Sequence, residues 1–220
     1  TNATTNVGWF WKANGGTTTS FNESGNNPGG THQANTTAGF SICKWTGSGA
    51  NATIGHGLGA VPKMIIVKNT STTDSWMVYH VGSGSNAYLH LETTNAALSP
   101  STAQFQATTP TSSFFYVGTA DGTNKSSSNM IAYCFAEKQG YSKFGSYTGN
   151  GNADGTFVYT GMKPSFVMIK KSSGTGDWEL LDNKRLGYNP RTETLGANNN
   201  SSEGNYNRID ILSNGFKVRS

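Results

Sequence analysis

Short apolar runs alternate along the chain with stretches rich in Gly, Asn, Ser and Thr. Residues 40–45, 63–69, 76–80, 87–91, 114–117 and 130–137 read as strands, because aromatic and β-branched side chains favour a pleated surface and the residues between them favour turns. Pro62 and Pro164 stand where strands begin, one of the few sheet positions that tolerate a missing N–H. The runs Met64-Ile65-Ile66-Val67 and Phe166-Val167-Met168-Ile169 do not alternate. Both faces of those strands must therefore be covered, by a neighbouring unit or by another chain. Asp121-Gly122 and Asp154-Gly155 are turn signals, and Gly82-Ser83-Gly84-Ser85 is a loop tip. The only helix the pattern suggests is a short one over residues 178–186.

The chain resembles itself at a shift of 102 positions. Without a gap, that shift sets Trp45-Thr46-Gly47 on Tyr147-Thr148-Gly149, Gly59 on Gly161, Pro62 on Pro164, Lys68 on Lys170, Trp76 on Trp178 and Phe114 on Phe216. The pattern predicts two tandem antiparallel β-sandwich, jelly-roll-like repeats, over residues 39–141 and 142–220. Residues 1–38 read as a strand at 7–12, the tail of a preceding unit, followed by a polar linker. The second repeat ends before the counterpart of the strand at 130–137. Its open edge is expected to be completed by residues beyond Ser220 or by the N-terminal strand of another chain.

Composition narrows the class. Gly, Asn, Ser and Thr fill 103 of 220 positions and charged residues only 13%, which argues against a helical protein. Aromatics at 11% supply a core and argue against disorder. The net charge of +4 comes from 16 basic residues with no cluster fit for a phosphate backbone, so nucleic acid is not expected as a partner. No stretch has the length of a membrane span, and membrane insertion is not expected.

Candidate chemistry is sparse. Asn150-Gly151-Asn152-Ala153-Asp154-Gly155 places oxygen side chains at alternate positions as a calcium loop does, but Gly161 stands where the closing Glu belongs, and a hairpin turn explains it as well. Gly55-His56-Gly57-Leu58-Gly59 lacks the ending of a phosphate loop, so His56 reads as a turn histidine and His80 and His90 as strand residues. Cys43 reads as a buried thiol, and a disulfide to Cys134 requires the first and last strands of the unit to pair. No pair of carboxylates stands out for glycoside hydrolysis. No catalytic residue, cofactor or metal site is therefore expected. Among the aromatics, Trp45, Trp76, Tyr147 and Trp178 recur in both halves and read as core. Tyr88 and Tyr188 lie outside the matched positions and are the candidate contacts to a glycan or receptor.

Three blocks carry a family resemblance: Phe40-Ser41-Ile42 running into Thr46-Gly47, Gly55-His56-Gly57-Leu58-Gly59 with Val61-Pro62-Lys63-Met64-Ile65-Ile66-Val67-Lys68, and the junction Ala132-Tyr133-Cys134-Phe135-Ala136-Glu137 through Gly140-Tyr141-Ser142-Lys143-Phe144-Gly145-Ser146-Tyr147-Thr148-Gly149-Asn150-Gly151. Together they resemble a duplicated β-sandwich domain family of tail-fibre-like virion proteins from tailed, especially marine, bacteriophages, over residues 36–220. Trp9-Phe10-Trp11-Lys12-Ala13 looks like the end of the domain that commonly precedes it. The resemblance implies a non-enzymatic, host-facing component of an extracellular virion appendage. Its partners would be other copies of itself, as a homotrimer, other virion proteins, and a host-surface glycan or protein. A monomeric carbohydrate-binding module is the alternative.

Overall fold

The computed structural model of the chain describes residues 6–219. Its first half contains the strands β1 (Thr19–Phe21), β2 (Gly30–Asn35), β3 (Phe40–Thr46), β4 (Ala52–Gly55), β5 (Pro62–Asn69), β6 (Met77–His80), β7 (Leu89–His90), β8 (Phe114–Val117) and β9 (Asn129–Ala136). The second half adds β10 (Phe157–Tyr159), β11 (Phe166–Lys170), β12 (Trp178–Asp182), β13 (Arg191–Gly196), β14 (Gly204–Leu212) and β15 (Gly215–Val218). The α-helices among the described residues are single turns, α1 (Thr102–Phe105) and α2 (Asp121–Asn124). The protein is all-β, as its alternating and β-branched runs predict.

The described residues form three antiparallel sheets. A seven-stranded sheet runs β1-β2-β3-β9-β5-β6-β7, a six-stranded sheet runs β10-β15-β14-β13-β12-β11, and β4 pairs with β8. Ile54, Phe115 and Val117 of the β4–β8 pair, with Phe105 of α1, pack on one face of the large sheet against Cys43, Trp45, Ile65, Val67 and Met130. The opposite face meets the six-stranded sheet: Met64, Val78 and Leu89 enclose Trp178, with Ile66, Phe135, Phe144 and Met168 around them. A third core joins Val167, Leu181, Ile209, Ile211 and Phe216 within the second half. This layering explains the non-alternating run in β5. Ile65 and Val67 face the first core, while Met64 and Ile66 face the second sheet.

The shift of 102 reappears in strand pairing. Met64 faces His80, Ile65 faces Tyr79 and Val67 faces Met77, and in the second half Phe166 faces Asp182, Val167 faces Leu181 and Ile169 faces Glu179. The correspondence loosens elsewhere: β10–β15 lies one residue out of step with β4–β8, and β14 falls where the first half has α1.

Three expectations change. Residues 178–186 form no helix, since Trp178–Asp182 is strand β12, aligned with β11 over five residues. Burial against β11 outweighs the helical propensity of Glu179, Leu180 and Leu181. The expected polar linker holds β1 and β2, and β2 pairs with β3 along its whole length. Residues 7–12 belong to no strand. Trp9 lies 5.5 Å from the Phe166 ring, and Trp11 is 6.1 Å from Phe135 and 5.8 Å from Phe166, so the segment caps the rim of the inter-sheet layer. Cys43 and Cys134 do lie on paired strands, β3 and β9, and both are free, buried thiols. Burial, with Cys43 beside it, pushes the Cys134 thiol well above its ordinary value.

Candidate functional site

The two candidate contact tyrosines stand on separate connections. Tyr188, 70% exposed, lies between β12 and β13. Tyr88, just before β7, is half-buried, bridges Leu98 through its backbone and lies 5.5 Å from the His90 ring. Its packing against the first core leaves it less available than its sequence position suggests. Trp45 and Trp178 are core residues, whereas Trp76, half-buried, lines a groove with Ile66 and Phe135 beside the inter-sheet layer.

The calcium-like loop spends its oxygens on itself. Asn150 Oδ1 accepts from the Asn152 N–H, Asn152 Oδ1 accepts from the Asp154 N–H, and Asp154 pairs with Lys217. The hydrogen bond and charge of Lys217 hold the Asp154 carboxyl below its usual range. Among the described residues no group of three or more His, Cys, Asp or Glu could hold a metal ion. No helix among them is long and apolar enough to cross a membrane.

Among the described residues, two surface recesses stand out by their linings. An apolar groove of about 330 Å³ is lined by Trp11, Phe40, Ile42, Ile66, Trp76 and Tyr133 among others, and can take apolar side chains. A more polar cleft of about 490 Å³ sits where the halves join, with Glu137, Lys138, Gln139, Ser142, Lys143 and Tyr159 on its walls. Tyr159, 66% exposed, offers a ring beside hydrogen-bonding groups, an arrangement suited to a sugar. Glu137 is already engaged, accepting from the Phe144 N–H at 3.0 Å and pairing with Lys143 at 3.3 Å. Sequence reasoning passed over Tyr159. The signal was the triplet Phe157-Val158-Tyr159, whose alternation on edge strand β10 turns Phe157 and Tyr159 outward and Val158 into the core.

The most distinctive surface is a strand edge. In the first half β5 is flanked on both sides, by β6 and by β9. In the second half β11 pairs with β12 and, among the described residues, with no strand on its other side. Such an edge presents a row of N–H and C=O groups to whatever approaches it. Beside it the N-terminal segment holds Trp9 and Trp11 against Phe166 while Phe10 points outward, 94% exposed. What this arrangement can do chemically is bind another strand and apolar side chains.

No curated protein and no solved structure matches the chain. A family profile described as "Domain of unknown function (DUF7483)" matches residues 1–220. With all of the given sequence inside the match, the chain belongs to that family.

Proposed function

We propose that the protein is a non-enzymatic structural component of a bacteriophage virion, part of a tail fibre or similar appendage, which associates with copies of itself as a trimer and contributes to attachment at the host surface. The observation that carries this reading is the outer edge of β11, which pairs with no strand among the described residues and lies next to the outward-facing Phe10. Edges of this kind are normally blunted or covered, and assembly is one way to cover them. The resemblance of the junction and glycine-rich blocks to tail-fibre-like proteins supplies the setting. Low charge suits a particle that must hold together in salty water, where exposed ion pairs contribute little.

Light scattering on the purified chain tests the association. A trimer of the 23.3 kDa chain is expected, and a monodisperse single chain overturns it. Binding of the same preparation to host cells tests the attachment. The polar cleft at Tyr159 favours a second reading, a monomeric carbohydrate-binding module, which predicts glycan-array binding by a single chain.

A further inference from the structure

We infer that the cleft where the halves join binds an acidic saccharide, its ring packed on Tyr159 and its acidic group held by Lys138 and Gln139. This rests on the reading of that cleft as a sugar site, and it names the class of sugar and the side chains that select it.

Both walls are built before any ligand arrives. On one side the chain turns sharply between Lys138 and Ser142. The N–H groups of Tyr141 and Ser142 both donate to the Lys138 carbonyl at 2.9 Å, and the Lys138 N–H returns to the Ser142 carbonyl at 3.3 Å. Ser142 Oγ donates to the Ala136 carbonyl at 3.1 Å. On the other side the N–H groups of Thr160 and Gly161 donate to the Asn214 carbonyl at 3.0 and 3.2 Å, and Thr160 Oγ1 donates to the Met162 carbonyl at 2.7 Å. Walls fixed by their own hydrogen bonds lose little further freedom when a ligand enters. At about 490 Å³ the cleft falls within the range of small-molecule sites, about 300–1,000 Å³.

Tyr159 supplies the platform. Its backbone is paired with Gly215 of β15, and the residue is 66% exposed. Gly161 keeps the phenol end of the ring clear. A Cβ there would already meet the ring hydroxyl at 3.6 Å, and its φ of +75° favours glycine in any case. The C–H face of a pyranose can cover such a ring while the sugar hydroxyls reach the polar groups around it.

The charges decide which sugar. Glu137, Lys138 and Lys143 are the charged residues of the lining. Glu137 is spent, because Oε1 accepts from the Phe144 N–H at 3.0 Å and lies 3.3 Å from Lys143 Nζ, while Oε2 lies 3.4 Å from the same ammonium. That pair cancels. The Lys138 ammonium and the exposed Gln139 amide enter no side-chain hydrogen bond or ion pair among the described residues. One uncancelled positive charge therefore stands next to an amide, in the same cleft as an exposed aromatic ring. A neutral sugar would use the ring and the amide and leave the charge idle. An acidic sugar uses all three, and hydrogen bonds from an ammonium to an anion are about twice as strong as neutral ones.

The test is an array of immobilised oligosaccharides bearing uronate, sialate or sulfate groups, printed beside their neutral counterparts and probed with the purified chain. At least one acidic glycan is expected to bind about tenfold or more tightly than its neutral counterpart. Tyr159→Ala should weaken that binding by about tenfold, and Lys138→Gln should bring the acidic glycan down to the level of the neutral one. Lys44→Gln, which removes the same charge from exposed β3 outside the cleft, should change nothing. Binding to no glycan overturns the inference, as does acidic preference that survives Lys138→Gln or falls equally with Lys44→Gln. Equal binding of acidic and neutral glycans that is lost in Tyr159→Ala overturns the choice of an acidic sugar and keeps the cleft as a sugar site. A silent array from a chain that still binds host cells retires the cleft and leaves the proposed attachment standing. Acidic preference in a monomer that ignores host cells does the reverse.

Discussion

His56 shows what a single residue can and cannot announce. Its setting between glycines suggests a turn, yet the ring is fully buried, with Nε2 donating to the Thr111 carbonyl at 3.2 Å and Nδ1 accepting from the Leu58 N–H at 3.2 Å. That pair of bonds requires the neutral ring with its proton on Nε2. Gly57 beside it has φ +68°, and a Cβ there would lie 2.2 Å from His32 Nε2, so the glycine is needed for both conformation and space. Neither Thr111 nor His32 is near in sequence, which is why the role was illegible. Burial pushes the His56 pKa down to about 4, the Thr111 bond opposing and the His32 charge adding. The folded value lies below the unfolded one of about 6.5, so the unfolded chain binds the proton first as pH falls. Stability is therefore flat above about pH 6.5 and declines toward pH 4, by about 3 kcal/mol from this residue. Burial lowers His32 and His80 in the same direction. Urea midpoints at pH 7.5 and 5 measure the decline. His56→Gln is expected to be less stable at pH 7.5 but to lose clearly less between the two values, and an undiminished loss would place the effect elsewhere.

Among the elements, β3, β5, β8 and β9 were legible because apolar spacing marks strands whose faces are both defined. β2 was not, since all six of its residues, Gly-Thr-His-Gln-Ala-Asn, are half-buried and show no contrast between faces. Its existence depends on the full register with β3. β12 was misread for a related reason: its sequence alone favours a helix, and its strand geometry comes from β11. Its end is fixed by Asp182, whose Oδ1 accepts from the N–H groups of Lys184 and Arg185 at 2.8 and 3.1 Å while Oδ2 takes the Arg185 Nε at 2.8 Å. Arg185 reaches on to Glu203 at 2.6 Å and to the Leu180 carbonyl at 3.2 Å. Burial alone would raise the Asp182 carboxyl, but these N–H groups and the guanidinium outweigh it and hold the pKa below the usual range. The resulting stabilisation is present above the ordinary carboxyl pKa of about 4 and is lost as pH falls through the lower folded value. Asp182→Asn leaves the largely buried guanidinium short of its partner and is expected to cost about 3 kcal/mol at pH 7. Denaturant titration reads it, and the difference from wild type should shrink below pH 4.

At the scale of the whole molecule, the unbroken apolar run of β5 required a cover on both faces, and the sequence could state that requirement without naming the cover. Trp178 answers it. The indole is 3% exposed among Met64, Val78 and Leu89 of the first half, and its Nε1 donates to the His90 carbonyl at 2.9 Å. Trp76 holds the matching position in the sequence but is half-buried at a groove, so similar letters carry unequal loads. The inequality follows from the packing, in which the second sheet lies over β5–β7 and its Trp178 enters the layer between them. Trp178→Ala should cost about 3–5 kcal/mol through the lost contacts and the cavity left behind. Trp178→Phe keeps most of the ring and strands the His90 carbonyl, for about 1–2 kcal/mol. Trp76→Ala should cost about 1 kcal/mol, in the ordinary range for a residue that water already reaches. Because Trp178 is the most buried of the second-half side chains that tie the halves, its loss should also change the shape of unfolding. The wild type is expected to melt in one transition and Trp178→Ala in two, the earlier belonging to the second half with its smaller core. Calorimetry distinguishes the cases, and a single sharp transition in Trp178→Ala with an equal penalty for Trp76→Ala would mean that the inter-sheet layer does not couple the two halves.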